Sequence, residues 1–349
     1  MFGAWLEAYS AGEVSLIIGL ITGLLFGACA QQSQFCLRSA CIEFWRGQSG
    51  SKFAIWLFTF ATALFCTQWL VSIEWLPRAD IRQLATTGSL SGAIIGGSMF
   101  GIGMILARGC ASRLLVLSAT GNLRALLTGL VVTVISQASL RGALSPSRME
   151  ISSWWLVAPF DRDLTNHLPA HGALIFAVIL FGVAIWFAQR SDTSVKRYIF
   201  AILVGLSVAM GWGITAWHAG WSFELVPIKS VSFTGPSADT LMGLINSPMI
   251  PLEFDIGIVL GVFVGSFCAA QATGQFSIAT FTHETGLSRY LIGACLMGYG
   301  GMMAGGCAVG AGITGGAVMA VTAWVALLFM WLAAGITDYF VDRPKPTRS

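Results

Sequence analysis

Gly-Tyr-Gly-Gly-Met-Met-Ala-Gly-Gly-Cys-Ala, residues 298–308, lies inside a 48-residue stretch, Tyr290–Thr337, that carries no charged side chain. About 20 apolar residues take a helix across ~30 Å of hydrocarbon, so this stretch is too long for a single crossing. It holds two, divided at the glycine cluster around Cys307–Gly312. The same criterion predicts nine spans, at about 14–30, 53–73, 90–107, 123–139, 171–188, 198–217, 254–270, 290–306 and 314–336. Composition agrees. The chain is 56% hydrophobic with a mean hydropathy of +0.77. Charged residues make up 10%, where a soluble domain carries ~25%. A soluble enzyme, a disordered chain and a nucleic-acid binder are excluded. A net charge of +3 and a pI near 8.5 are too mild for a polyanion partner. The fold class expected is all-α, a polytopic protein of the lipid bilayer.

Charge sorts by loop. With the N-terminus outside, the inside segments hold 13 Lys and Arg against 5 acids, and the outside segments 6 against 10. The positive-inside rule then sets the N-terminus outside and the C-terminus in the cytoplasm. The first 13 residues contain Glu7 and Glu13 and no basic residue, so a cleaved signal peptide is not expected.

The opening stretch has a counterpart. Gly-Ile-Gly-Met-Ile-Leu-Ala-Arg-Gly-Cys-Ala (101–111) matches 298–308 at Gly101/Gly298, Gly103/Gly300, Ala107/Ala304, Gly109/Gly306, Cys110/Cys307 and Ala111/Ala308, and Gly96 matches Gly293. Gly19, Gly23 and Gly27 likewise align with Gly257, Gly261 and Gly265. Gln34-Phe35-Cys36 then aligns with Gln275-Phe276-Ser277. An internal pseudo-two-fold repeat with halves at about 14–139 and 254–336, and intervening spans at 171–217, is the resulting expectation. The alternation of spans sets 290–306 against 90–107 but leaves 14–30 and 254–270 parallel. An inverted repeat does not suit the second pair. Glycine every fourth residue also has a plainer reading, as small faces that let helices approach closely in lipid.

Each match runs on into a short segment before the next span. Gln31–Trp45, Ala111–Gly121, Gln271–His283 and Ala308–Gly312 read as short re-entrant half-helices. Irregular backbone at membrane depth is tolerated where protein or a water-filled cavity surrounds it. Its free N–H groups suit a small anion.

Of eight cysteines, Cys36, Cys110 and Cys307 sit at these breaks. Cys29, Cys66, Cys268 and Cys295 read as small buried hydrophobes, and Cys41 stays unassigned. No C-x-x-C pair occurs, and the four histidines lack ligand spacing, so no metal site and no cofactor are expected.

At these residues the chain resembles the YeeE/YedE family of sulfur-transport membrane proteins, which includes thiosulfate importers. The resemblance rests on Ala107-Arg108-Gly109-Cys110-Ala111-Ser112-Arg113, on Gly305-Gly306-Cys307-Ala308-Val309-Gly310-Ala311-Gly312, and more weakly on Gln34-Phe35-Cys36 with Arg38. It implies a single integral membrane transport domain over 1–349, in the inner membrane and not an enzyme. Thiosulfate would pass along Cys36, Cys110 and Cys307 by transient thiol contacts. Gln34, Arg108, Gly109, Arg113, Gly306 and Gly310 are the supporting candidates. A cytoplasmic TusA-like sulfur carrier is an admissible partner; a fused one is not expected, with a tail of about a dozen residues after the last span. Two alternatives stay open: another sulfur or selenium compound as substrate, and a membrane thiol–disulfide oxidoreductase.

The chemistry is compatible. Thiosulfate has a soft sulfur end suited to a weak S–H donor and an oxyanion end suited to backbone N–H groups. The predicted spans hold no interior Lys or Arg, and a fixed cation in the path would bind too tightly for exit. Arg38, Arg108 and Arg113 would draw anions to the cytoplasmic mouth or simply anchor it. Glu43 and Glu284 are candidate proton-coupling groups, solvated loop acids being the plainer reading. Asp255 reads as an N-terminal helix charge. Trp45, Trp69, Trp75, Trp154, Trp155, Trp217 and Trp221 read as an interfacial belt.

Overall fold

A computed structural model describes residues 10–48, 50–169, 171–191, 193–246, 251–280 and 286–343. In chain order the principal helices are α1 (Ala11–Ser33), α2 (Leu37–Trp45), α3 (Ser51–Ser72), α4 (Leu90–Leu106), α5 (Ala111–Ala119), α6 (Leu123–Arg141), α7 (Gly172–Gln189), α8 (Val195–Trp221), α9 (Thr234–Asn246), α10 (Phe254–Ala272), α11 (Leu287–Met303) and α12 (Val321–Val341). Among the described residues, nine helical segments are long and apolar enough to cross a membrane, each at a predicted span. The only sheet among them is one two-residue antiparallel pair, Gly88–Ser89 with Leu156–Val157. The protein is an all-α polytopic membrane protein.

Glycine brings the central helices together. The most extensive pairing is α1 with α10. Gly19, Gly23 and Gly27 face the backbone of Phe254, Ile258 and Val262, while Gly257, Gly261 and Gly265 face Leu16, Leu20 and Leu24. Residue numbers rise together on both sides, so the two helices run parallel. A second pair is α4 with α11. Gly96 faces Gly300 and Gly103 faces Gly293, so these two run antiparallel. For helices crossing one membrane, no single two-fold rotation produces both relations. α12 packs along α4, with Gly97 and Gly101 against the carbonyls of Ala326 and Met330, and α8 packs along α3 through Gly205 and Thr59.

Caps position the remainder. Ser10 and Glu13 close a reciprocal capping box on α1. Glu43 caps α3 from outside, accepting from the Phe53 N–H at 2.7 Å and the Ser51 hydroxyl at 3.3 Å. It is a structural acid and not a free loop charge. Glu43→Ala is expected to cost about 1 kcal/mol, seen as a lower unfolding midpoint in detergent; an unchanged midpoint would remove this role. Glu284 and His283 lie outside the described residues, as do Glu7 and the tail beyond Arg343.

Three expectations need correction. The ninth span begins at Val321 and not near 314. Ala308–Thr314 instead forms a π-helical turn, with the Gly312 N–H reaching the Cys307 carbonyl at 3.4 Å. Gly310, Gly312, Gly315 and Gly316 are apolar in a hydropathy window but weak in an α-helix. Residues 273–280 form no half-helix. Gly274 turns left-handed at φ 65°, and the extended segment beyond it bonds to another part of the chain: Ser277 N–H to Thr120 O, Ala279 N–H to Gly121 O, and Leu123 N–H to Ala279 O. Its backbone groups are satisfied between segments, so no helix is required there. Cys268 and Cys295 are exposed on their helices, so burial does not explain them. The tryptophan edges are as expected, with Trp69, Trp75, Trp154, Trp155 and Trp221 exposed. His218, in contrast, is buried in α8 and contacts Ser15 of α1 at 3.5 Å.

Candidate functional site

The three break cysteines share one local design. Two residues before each, the backbone is left-handed: Gln34 at φ 55°, Arg108 at φ 55° and Gly305 at φ 82°. The chain then reverses, and each cysteine starts a new helical segment. Cys36 is the N-cap of α2, Cys110 of α5, and Cys307 of the π turn. The Gly310 N–H donates to Cys307 Sγ at 3.4 Å. The N–H groups of Ser39 and Arg113 face Cys36 and Cys110 in the same relation, three residues on, without completing a full cap. Each thiol therefore stands at a helix start, where unpaired N–H groups and the helix dipole favour negative charge.

These thiols are buried, at 7%, 0% and 0% exposure for Cys36, Cys110 and Cys307, and all belong to one continuous core. The Cys36 and Cys110 side chains interact with each other, although 74 positions separate them in sequence. Helix α5 also touches the Ala308–Thr314 turn, which brings the Cys110 and Cys307 breaks together. Cys110 Sγ lies 3.3 Å from Ser112 Oγ.

A cavity of about 1100 Å³ reaches Gly305, Gly306, Gly310 and Thr314, the shell of Cys307. Its walls come from the segments before α4, after α6, before α10 and after α11. It therefore opens on the side where α1 begins. Arg82, Arg141, Arg148, Arg162 and Lys229 line it with Asp80, Asp239, Glu253 and Asp255. Lys229 binds Asp255 at 2.5 Å, so that first-turn acid also holds an ion pair. Burial, with Asp255 adding, raises the Asp239 carboxyl above its ordinary pKa, and burial lowers the Arg162 guanidinium to about 10. Cys36 and Cys110 follow the opposite ends of α1 and α4.

The supporting candidates separate. Gln34 is the left-handed C-cap of α1, and its side chain accepts from Lys52 Nζ at 3.0 Å. Arg108 is exposed, and its contribution is the backbone turn. Gly109 is buried tightly against Leu114, and Gly306 against the Ala311 N–H. Gly310 faces Ser232, where an added Cβ would fall 2.2 Å from Oγ. Arg113 is the main departure from expectation: it is half-buried within electrostatic reach of Cys36 and Cys110, with Nη1 enclosed. An interior cation therefore exists. The prediction missed it because the α4 span was ended at the glycine break, and α5 was counted as loop. Arg38 is not free for anions either, because it binds Asp342 at 3.3 Å. Arg46 grips Asp338 with two bonds of 2.7 and 2.8 Å, and Arg289 binds Asp342 at 2.8 Å, so α2 and α11 are tied to the end of α12. Lys52 and Ser232 went unnoticed in sequence, where nothing marks a lone Lys or Ser as close to a distant break.

A family model described as sulphur transport matches residues 32–336, which includes all three breaks. The chain belongs to the sulphur-transport (YeeE/YedE) family. Two curated relatives share most of its length. The thiosulfate transporter TsuA of Escherichia coli is 25% identical over 353 residues, covering 93% of this chain and 94% of that protein. The protein of the same name from Spirochaeta thermophila is 27% identical over 328 residues, covering 90% and 95%. As a sulphur-transport family member the protein is a multi-pass transporter and not an enzyme, which sets aside the oxidoreductase alternative.

Proposed function

We infer that this member imports thiosulfate across the inner membrane, with its N-terminus outside and its C-terminus in the cytoplasm. The observation that carries the reading is the set of three buried thiols at equivalent breaks, one at the floor of the outer cavity and two adjacent beyond it. Thiosulfate would enter the cavity and meet Cys307 with the N–H groups of its glycine turn. It would then pass to Cys110 and Cys36. Moving a dianion into a low-dielectric core is costly without donors. The helix starts of α2 and α5 and the π turn provide them. A thiol adds a weak donor for the sulfur end and releases it easily, as passage requires. All three thiols are closed off from solvent, so passage needs a local opening. The glycine-rich π turn is where backbone rearrangement costs least. Gln34, Gly109, Gly306 and Gly310 shape the turns, and Arg108 contributes backbone geometry. The glycine correspondences support reading 14–139 and 254–336 as duplicated halves. A cytoplasmic TusA-like sulfur carrier is the acceptor we expect.

Purified protein in proteoliposomes is expected to accumulate radiolabelled thiosulfate. Unlabelled thiosulfate should compete well, and sulfate, sulfite and selenite poorly. Stronger competition by selenite or sulfite would move the assignment to that species. No uptake of any of the four would reject it.

A further inference from the structure

We propose that Arg113 binds the oxyanion end of the transported anion at the Cys36–Cys110 pair and sets its affinity there. This rests on the thiosulfate-path reading and adds a residue with a role of its own. Arg113 lies in the first turn of α5, three residues after Cys110. Its half-buried side chain lies within electrostatic reach of both thiols, and Nη1 is buried with no hydrogen-bond partner among the described residues. Among the described residues no carboxylate pairs with it.

The comparison with other inward-set cations is instructive. Arg38 and Arg289 share Asp342, Arg46 holds Asp338, and Lys229 holds Asp255. Lys52, near Arg113, is tied to the neutral Gln34 and has Glu43 in its surroundings. Arg113 has two thiols in its surroundings where Arg38, Arg46, Arg289 and Lys229 have carboxylates. Buried charges are normally paired, because an unpaired one loses its hydration without return. A guanidinium left in that state beside two soft donors fits an anion with one hard and one soft end. The oxygens face Arg113 and the helix start, and the sulfur faces Cys36 or Cys110. A planar fork suits a multi-oxygen anion better than a point charge does. Arg113 with Lys52 nearby is fewer positive groups than a closed ring, which leaves exit possible.

The test is Arg113→Met and Arg113→Lys in proteoliposomes, with thermal unfolding in detergent alongside. In Arg113→Met the KM for thiosulfate should rise about tenfold or more, the loss of one charge-assisted contact, while the maximal rate holds or increases. Its unfolding midpoint without thiosulfate should stay level or rise, because an unpaired buried charge is gone. Added thiosulfate should raise the midpoint of the wild type and not of Arg113→Met. Arg113→Lys should fall between the two in KM. A wild-type KM in Arg113→Met overturns the proposal. So does a lowered midpoint with the thiosulfate response intact, which marks a structural arginine. Should Arg113→Met fail to fold, an unchanged KM in Arg113→Lys overturns it equally. Wild-type protein that takes up no thiosulfate rejects the underlying path reading instead, and leaves a different pattern of results.

Discussion

Cys110→Ala and Cys307→Ala are each expected to abolish thiosulfate uptake, and thiosulfate-dependent growth of a strain without other importers, while the protein still inserts. Loss is expected to be complete because the proposed path uses the cysteines in series: an anion held at one break lacks the thiol contact for its sulfur end at the next. The structural cost is smaller. Removing a buried sulfur leaves a small cavity worth about 1–2 kcal/mol, which a helical membrane protein of this size tolerates. Serine at the same positions separates the effects. Cys307→Ser keeps an acceptor for the Gly310 N–H, which now meets Sγ at 3.4 Å, so the turn is preserved. Its hydroxyl is a stronger donor but a harder partner for the sulfur end, and uptake should still fall sharply. Cys29→Ala and Cys66→Ala, away from the breaks, should transport normally. Full uptake by Cys110→Ala or Cys307→Ala with the protein in the membrane would sink the thiol path.

Gly23→Val is expected to leave no folded, monodisperse protein. Gly23 sits midway along the close contact of α1 with α10. An added Cβ would lie 2.5 Å from the Ile258 carbonyl oxygen, 2.9 Å from the Val262 nitrogen and 3.0 Å from the Gly261 Cα. All three are backbone atoms and have no rotamer through which to yield. The reciprocal position behaves alike, with the Gly261 Cβ 2.4 Å from the Leu20 carbonyl oxygen. Overpacking a flexible core costs about 1–3 kcal/mol; here whole helices must separate, so the loss exceeds that range. Close approach is also what drives helix association in lipid, where apolar burial gives no advantage. Gly182→Ala is the control, because nothing lies within 4 Å of its Cβ position. It should be neutral or stabilise α7 by up to about 1 kcal/mol through helix propensity. Size-exclusion profiles and unfolding midpoints in detergent decide both. A well-folded Gly23→Val would show that the helix pair tolerates separation.

Much of the architecture was legible in the residues. Each of the nine predicted spans coincides with a helix among the described residues, because lipid permits little besides a helix over 20 apolar residues. The exception is instructive: 308–320 is as apolar as its surroundings, and only its glycines hinted that it would not continue as α-helix. Direction was legible too. The parallel relation of 14–30 with 254–270 and the opposed relation of 90–107 with 290–306 followed from counting crossings. The glycine contacts have those senses. The repeated Gly-Cys-Ala also marked two breaks, because a glycine pair before a cysteine interrupts an otherwise uniform apolar run.

What the sequence alone determined, then, is the class of protein, the nine helices apolar enough to cross a membrane among the described residues, their relative directions, and the three cysteines that stand at breaks. These are local properties, written in hydropathy and glycine spacing. Only the tertiary structure decided that Cys36 lies beside Cys110, that Arg113 is inside with them, that Arg38 is bound to Asp342, and that residues 273–280 pair with Thr120–Asn122 instead of forming a helix. Each of these joins segments far apart in the chain. The same arginine is a surface anchor or a buried ligand group depending on which helices pack around it, and no local spacing records that choice.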